Sequence, residues 1–136
     1  MNNKEELIDK VGGIILKDKK ILVQRKNNNR EECIIPGGKR EKNETDIETL
    51  KRELKEELCV SVIDYEFIGG YDDKACFSDK DIHVQVYLVK IEGEIKCANE
   101  IKEAIWIDRN YKDKNIKIGS ILEKYVIPEL IKRDLM

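Results

Sequence analysis

The sequence predicts an α/β fold, a layered sandwich in which helices pack on a central mixed sheet. Segments with the apolar patterning of strands alternate along the chain with two segments of helical spacing, which is typical of α/β architectures. The chain has 136 residues, enough for one sizeable core and too few for two ordinary domains. We therefore expect residues 1–136 to form a single domain.

The segment before the first helix predicts three strands. Residues 8–16 and 21–25 are largely apolar and are joined by the polar turn 17–20. Residues 33–35 form a short third strand that Pro36 ends, because proline lacks the amide that a strand ladder needs. The two glycines at 37 and 38 then predict a tight turn.

The first helix has a clear start. Thr45 and Glu48 stand three residues apart as a capping box, so the helix should begin at about Asp46. Four apolar residues then recur at helical spacing and fall within an arc of roughly 80°. They form the predicted buried seam: Ile47, Leu50, Leu54 and Leu58.

Two strands and a loop are predicted after this helix. Residues 60–68 have strand patterning and should end at the glycines 69 and 70, and residues 71–80 should form a loop. Residues 81–91 alternate strictly and give the clearest strand of the chain. Its histidine, His83, is interpreted as a residue on the sheet face rather than as a substrate contact.

The C-terminal part predicts one more strand and one helix. A strand should pass through Trp106 between two loops, and residues 118–131 have helical spacing. Pro128 lies inside the helical segment and should kink or restart it.

The charge balance argues against a nucleic-acid polymer as a partner. The chain carries 26 basic and 28 acidic residues, for a net charge of −2, so it has no overall basic field. Its N-terminus is polar, unlike a secretory signal, and no apolar run approaches the roughly 20 residues that cross a bilayer. We expect a cytoplasmic protein without membrane partners.

The cysteines do not predict a zinc site or a disulfide framework. Four are present, at irregular spacing and without a C-x-x-C pair: Cys33, Cys59, Cys76 and Cys97. Free, buried thiols in a reducing cytoplasm are the expected state.

Three glutamates of the first helix are candidates for metal binding. Glu53, Glu56 and Glu57 share an arc of roughly 100° centred away from the buried seam, where they should repel one another. A hard cation such as Mg²⁺ or Mn²⁺ would relieve that repulsion and prefers oxygen ligands. The alternative is the solvated face of an ordinary amphipathic helix, for which such charge runs are common.

The spacing of residues 38–60 resembles the Nudix box, G-x5-E-x7-R-E-U-x-E-E-x-G-U, where U is aliphatic. Gly38, Glu44 and the run 52–60 match eight of its nine defined positions. Cys59 stands where the family has glycine, which puts the geometry of the helix exit in question. Residues 35–38 and 100–107 are similar to MutT-type members, so the resemblance covers the chain from about residue 9 to its end.

The resemblance implies a Nudix-type α/β/α sandwich with the box helix packed on the mixed sheet. It also implies that Glu53, Glu56, Glu57 and the backbone carbonyl of Gly37 hold the metal ion. Gly38 and Lys39 are expected to contact the substrate.

The resemblance further implies roles for the remaining polar residues of the box. Arg52 should pair with Glu44 or Glu53 and keep the carboxylate oriented and ionised. The general base is Glu53 itself or a glutamate of a later loop, Glu100 or Glu103, of which we favour Glu100.

The implied activity is hydrolysis of a nucleoside diphosphate linked to another moiety. The small size of the chain favours a (deoxy)nucleoside triphosphate, cleaved to monophosphate and pyrophosphate, over a long bridged nucleotide. One alternative is a non-catalytic domain that senses nucleotides. A second is a prenyl diphosphate isomerase, for which Cys33 would be the candidate cysteine. The oligomeric state stays open, a homodimer included.

Overall fold

The computed structural model describes residues 7–28, 31–74 and 80–136. Its strands and helices confirm the predicted α/β class, in the chain order β1 (Ile8–Lys17), β2 (Lys20–Lys26), β3 (Gly37–Lys39), α1 (Asp46–Leu58), β4 (Ser61–Lys74), β5 (Asp81–Glu92), β6 (Ile101–Ile107) and α2 (Ile127–Lys132). A 3₁₀ turn at Tyr111–Lys114 and a π turn at Leu122–Val126 precede α2.

The sheet is mixed, as predicted. Its strand order is β4-β5-β1-β2-β6, and β3 pairs with β1 outside this path. The β1–β5 pair is parallel and the other pairs are antiparallel. Strand β1 pairs with β5 over residues 8–15, with β3 over residues 10–12 and with β2 at residues 16–17, so it joins the parts of the sheet.

Each face of the sheet carries one apolar layer. On one face, Leu50, Leu54 and Leu58 of α1 are fully buried against residues of β1, β2 and β5. On the other face, the C-terminal helical segment packs on a second cluster through Val126 and Leu130. Burying a leucine side chain contributes about 1.5–3 kcal/mol, so the predicted seam fixes α1 on the sheet.

The prediction of a tight turn at Gly37 and Gly38 is wrong. These glycines begin β3, in which Gly37 pairs with Gly12 and Gly38 pairs with Val11. A Cβ at Gly37 would lie 2.1 Å from the Val11 carbonyl oxygen, so glycine is required by the close approach to β1. The predicted strand 33–35 is present only as isolated bridges at Cys33 and Ile34.

The predicted end of the fourth strand at the glycines 69 and 70 is also wrong. The ladder between β4 and β5 continues to the pair Lys74 and Asp81, with a register shift between Phe67 and Gly69. The extra residue at the shift is Ile68, and Gly69 and Gly70 remain paired with Val86 and Gln85. Residues 71–74 of the predicted loop are therefore strand, and residues 75–79 lie outside the described residues.

The C-terminal helix is interrupted where Pro128 predicted a kink. The π turn Leu122–Val126 leads directly into α2, and Pro128 lies in the first turn of α2. Proline has no amide to donate to the preceding turn, so a widened turn at this position has a direct physical cause.

The described cysteines are free, but the prediction of burial holds only for Cys33. Cys59 and Cys97 are exposed, and Cys76 lies outside the described residues. Cys59 ends α1 and Cys97 lies in the loop before β6, so neither faces a core layer. Within the described ranges, no helix is both long and apolar enough to cross a membrane.

His83 lies on the sheet, as predicted, and joins β5 to β4. Its Nδ1 lies 2.7 Å from Asp72 Oδ1 and its Nε2 lies 2.7 Å from Gln85 Oε1. Partial burial lowers the pKa of His83, but its hydrogen bonds to Asp72 and Gln85 outweigh burial, so the net pKa is raised above its ordinary value.

Candidate active site

The start of α1 is fixed by its cap and by contacts to the sheet. The Glu48 amide donates to Thr45 Oγ1 at 3.2 Å, and the Thr45 amide donates to Glu48 Oε1 at 2.9 Å, which confirms the capping box. Asp46 accepts from the Tyr87 hydroxyl of β5 at 2.6 Å and pairs with Arg40. These contacts hold the helix at a fixed place on the sheet.

The end of α1 keeps the left-handed geometry despite the missing glycine. Cys59 has φ 61° and ψ 31°, and its amide donates to the Lys55 carbonyl at 3.1 Å. A left-handed cysteine costs about 1 kcal/mol relative to glycine. The substitution therefore affects stability and leaves the path of the helix exit as a glycine would set it.

Arg52 forms a bidentate ion pair with Glu44 through two nitrogen atoms. Its Nε donates to Glu44 Oε2 at 2.7 Å and its Nη2 donates to Oε1 at 2.9 Å. Glu44 Oε1 also accepts from the Thr49 hydroxyl at 3.0 Å and from the Glu41 amide at 2.9 Å. The hydrogen bonds from Arg52 above all lower the pKa of Glu44, to about 2. Glu44 therefore stays ionised at neutral pH.

The same guanidinium reaches two further carboxylates and β3. Arg52 Nη1 donates to Glu53 Oε1 at 2.9 Å and lies 3.4 Å from Glu56 Oε2. Its Nη2 also donates to the Lys39 carbonyl at 3.1 Å. Arg52 thus pairs with both predicted partners, and Lys39 takes part in this contact through its backbone while its exposed side chain remains the predicted substrate contact.

Glu57 is buried, whereas the prediction placed it with Glu53 and Glu56 on a helix face away from the apolar seam. It is 4% exposed, whereas Glu56 is exposed. On a helical wheel Glu57 lies only about 20° from Leu50, so it borders the apolar seam. The Gly37 amide donates to Glu57 Oε1 at 3.1 Å. Burial above all raises the pKa of Glu57 to about 7, the charge of Glu53 adds to the rise, and the Gly37 hydrogen bond opposes it.

Glu53 lies against the second glycine of β3. A Cβ built on Gly38 would come within 2.4 Å of Glu53 Cδ, so only glycine leaves room for this carboxylate. Burial raises the pKa of Glu53, the Arg52 guanidinium opposes the rise, and Glu56 adds to it. The three predicted ligands therefore interact electrostatically around one end of β3.

Glu103, predicted as a possible loop glutamate, lies in β6, whereas Glu100 lies in the turn before this strand. Glu103 pairs with Arg25, which is its register partner on β2 and lines a polar pocket on the face opposite α1. Glu100 lies 3.6 Å from Lys26 Nζ, whose charge lowers the pKa of Glu53 and Glu57. The assignment of the general base to Glu100 stays a prediction.

The donor set fits a divalent cation, although the geometry of a bound ion is not preformed. Among the described residues, no three carboxylate, histidine or cysteine side chains converge as a metal-binding group. Oxygen atoms of Glu53 and Glu57 nevertheless approach β3 together. The charge of Glu53 raises the pKa of Glu57, and the charge of Glu56 raises the pKa of Glu53. A hard cation with oxygen ligands suits this arrangement.

Sequence reasoning missed two buried polar residues of the site. Thr49 is fully buried and bonds Glu44, and Gln24 of β2 is fully buried beneath α1. The signal for Gln24 was its position in a predicted strand, directly after the apolar run 21–23. Thr49 lies about 100° from Leu50 on the helical wheel, on the side of Glu53 and Glu56, so its spacing gave no signal of burial.

An apolar cavity opens beside this site. It has a volume of about 100 Å³ and reaches both Gly37 and Gly38. Its other walls come from β1, β5, residues 34–35 and residues 119–122: Val11, Gly12, Ile35, Ile82, Val84 and Leu122. The carboxylates and the cavity therefore meet at β3.

The fold and site define a class of protein in which a sheet between helical layers presents a glutamate-rich helix beside a glycine strand. The chain belongs to the Nudix family, since the NUDIX domain model matches residues 7–120.

Individual proteins agree with this membership. An ADP-ribose pyrophosphatase of Methanocaldococcus jannaschii is 38% identical over 107 residues, which are 74% of this chain and 61% of that protein. The chain thus spans about three fifths of the length of this relative.

Solved structures show the same fold. A NUDIX hydrolase from Nitrosomonas europaea superposes with a TM-score of 0.78 at 16% identity, over 93% of this chain and 89% of the other. The MutT NUDIX hydrolase from Burkholderia pseudomallei has a TM-score of 0.68 at 22% identity, over 74% and 82%. They support the predicted Nudix-type sandwich with α1 packed on the mixed sheet.

Proposed function

We propose that this chain is a metal-dependent pyrophosphohydrolase that cleaves a nucleoside diphosphate linked to another moiety. One observation carries the proposal: the carboxylates of Glu53 and Glu57 are held against Gly38 and Gly37, beside the clamp between Arg52 and Glu44. A cluster of partly buried carboxylates that repel one another is costly unless a cation compensates it.

Mg²⁺ or Mn²⁺ is the proposed cation, held by Glu53, Glu56, Glu57 and the Gly37 carbonyl. When bound, it would neutralise phosphate oxygens and orient or acidify the attacking water.

Residues of the chain orient the carboxylates and favour their ionised forms. Arg52 donates to Glu44 and Glu53 at 2.7–2.9 Å, which fixes both carboxylates and favours their ionised forms. The Gly37 amide does the same for Glu57. Gly38 and Lys39 are proposed to meet the substrate phosphates, and Glu100 is proposed as the general base.

The first candidate substrate is a (deoxy)nucleoside triphosphate, cleaved to monophosphate and pyrophosphate. The cavity of about 100 Å³ beside β3 is smaller than the roughly 300–1,000 Å³ of sites that enclose a drug-sized ligand. A cavity of this size that reaches Gly37 and Gly38 suits the base of a compact nucleotide. We propose this small molecule as the partner, in the cytoplasm.

A second candidate is ADP-ribose. The observation that favours it is the identity of 38% to the ADP-ribose pyrophosphatase of Methanocaldococcus jannaschii. The terminal ribose would then lie outside the cavity.

Both alternatives to hydrolysis are disfavoured by the site. A sensor has no need for Glu44, Glu53, Glu56 and Glu57 together, and all four are present. An isomerase would need a reactive cysteine, but Cys33 is 3% exposed and burial raises the pKa of its thiol.

The test is turnover of a substrate panel with Mg²⁺ or Mn²⁺, with the products identified by mass. The panel contains nucleoside triphosphates, ADP-ribose, nucleotide sugars and dinucleoside polyphosphates. Release of pyrophosphate and a nucleoside monophosphate identifies hydrolysis of nucleoside triphosphates, the first candidate. Release of AMP with ribose 5-phosphate identifies hydrolysis of ADP-ribose, the second candidate. Glu53→Gln should abolish turnover.

Glu92→Gln is the matched control, because it removes the same charge at an exposed position at the end of β5. It should keep turnover. Metal-dependent nucleotide binding without turnover of any compound would overturn the proposal in favour of the sensor.

A further inference from the structure

Gln24 of β2 is buried without an evident reason in the fold. Its exposed fraction is 0%, and neither its Nε2 nor its Oε1 has a hydrogen-bond partner among the described residues. Buried side-chain amides are normally paired, and an unpaired one destabilises the folded state. An apolar residue at position 24 would destabilise the folded state less, so the amide indicates a role in function.

The strand register gives the direction of the Gln24 side chain. Leu22 belongs to the apolar cluster beneath α1, whereas Val23 belongs to the cluster on the opposite face. Side chains alternate along a strand, so Gln24 points to the same face as Leu22. Its register partner on β6, Ala104, also packs against the α1 cluster.

On that face Gln24 lies next to Glu57. Glu57 is the buried glutamate of α1, and the amide of Gln24 lowers the pKa of its carboxyl. The Gly37 amide occupies Oε1 of Glu57, at 3.1 Å. The Gln24 amide is therefore a second donor within reach of a carboxylate that is held away from water.

We propose that Gln24 is a positioning residue whose amide group donates to the Glu57 carboxylate and orients it toward the divalent cation. This inference rests on the proposed function, since it assigns Glu57 a cation to face. Residues that hold a metal ligand in place typically contribute 10–100-fold to metal affinity when measured by substitution.

The test compares Gln24→Met with Leu22→Met by calorimetric titration of Mn²⁺ into metal-free protein. Both variants place the same side chain on one strand and one face, but only the first removes the amide. We expect Gln24→Met to bind Mn²⁺ about 10-fold or more weakly, while Leu22→Met binds it as the unmodified chain does.

Metal-activation curves give a second readout. If Gln24 acts through Glu57, the turnover lost in Gln24→Met returns as the Mn²⁺ concentration is raised, which a general packing defect would not produce. Should Gln24→Met fail to fold, Gln24→Asn replaces it, because the shortened amide no longer reaches Glu57 and the same loss of affinity is expected.

The outcomes separate this inference from the function beneath it. Unchanged Mn²⁺ affinity in the folded Gln24 variant, with binding by the unmodified chain intact, overturns the role of Gln24 alone. Absence of Mn²⁺ binding and of metal-dependent turnover in the unmodified chain overturns the proposed function, and the role of Gln24 with it.

Discussion

Gly38→Ala tests whether the Glu53 carboxylate must lie where the structure places it. The added Cβ would come within 2.4 Å of Glu53 Cδ and 2.5 Å of Oε1. Carbon atoms pack at about 3.5–4.0 Å, so the carboxylate has to retreat by roughly 1 Å or more. A displacement of this size can reduce catalysis about 100-fold.

The predicted loss corresponds to about 2.7 kcal/mol of transition-state stabilisation, at about 1.36 kcal/mol per tenfold change in rate. The stability of the fold should change much less. Gly38 has no positive φ, and the conflict is with the end of a flexible side chain. The alanine also restricts the unfolded chain, which favours folding by about 0.4–1 kcal/mol.

The assay measures kcat and melting temperature for Gly38→Ala beside two other glycine variants. Gly70→Ala is the matched control, because its Cβ would lie 2.3 Å from the flexible Gln85 Oε1, between β4 and β5, and would not meet Glu53. It should keep the kcat of the unmodified chain. Gly37→Ala should fail to fold normally, because its Cβ meets the backbone of Val11. Full kcat in Gly38→Ala would refute the reasoning.

Three other substitutions probe separate parts of the molecule. Arg52→Lys removes the bidentate pair with Glu44, because an ammonium group cannot form it. The kcat should fall about 10- to 100-fold in steady-state assays. Leu54→Ala leaves a cavity under α1 and should lower the free energy of unfolding by about 2–5 kcal/mol in urea titrations. His83→Gln should lower the melting temperature more at about pH 5.5 than at about pH 8.5. The raised pKa of folded His83 makes its contribution to stability full below the unfolded pKa of about 6.5, and that contribution is lost as the pH rises through the folded value.

Each of these predictions has a control and a contradicting result. Lys51→Ala, on the exposed side of α1, should change the free energy of unfolding by no more than about 0.5 kcal/mol. A Leu54→Ala variant as stable as Lys51→Ala would show that the seam does not hold the helix. Arg52→Lys with unchanged kcat, or a pH-independent effect of His83→Gln, would contradict the roles assigned to those side chains.

Local signals predicted the box helix well. The Thr45 and Glu48 pair gave the correct start of α1, because a capping box satisfies amides within one turn and needs no tertiary context. The resemblance of the box likewise implied that Arg52 pairs with Glu44 or Glu53, and the structure contains both pairs. Both features depend only on residues close in sequence.

Features that depend on distant strands were not predictable in the same way. Glu57 is buried because β3 covers that side of α1, a contact between residues 20 positions apart. The glycines 69 and 70 do not end β4, because the ladder to β5 continues on both sides of a register shift. Gly37 is needed for its approach to β1 and not for a turn, which only the pairing with Gly12 reveals.

Metal removal and return tests the central claim most directly, namely that the carboxylates beside β3 work through a divalent cation. The unmodified chain is assayed on the panel compound it cleaves, first with a chelator and then with Mg²⁺ or Mn²⁺ in excess. The carboxylate site predicts no turnover under chelation and full recovery with either ion, and no recovery in Glu53→Gln. Turnover that persists in the chelator would contradict it.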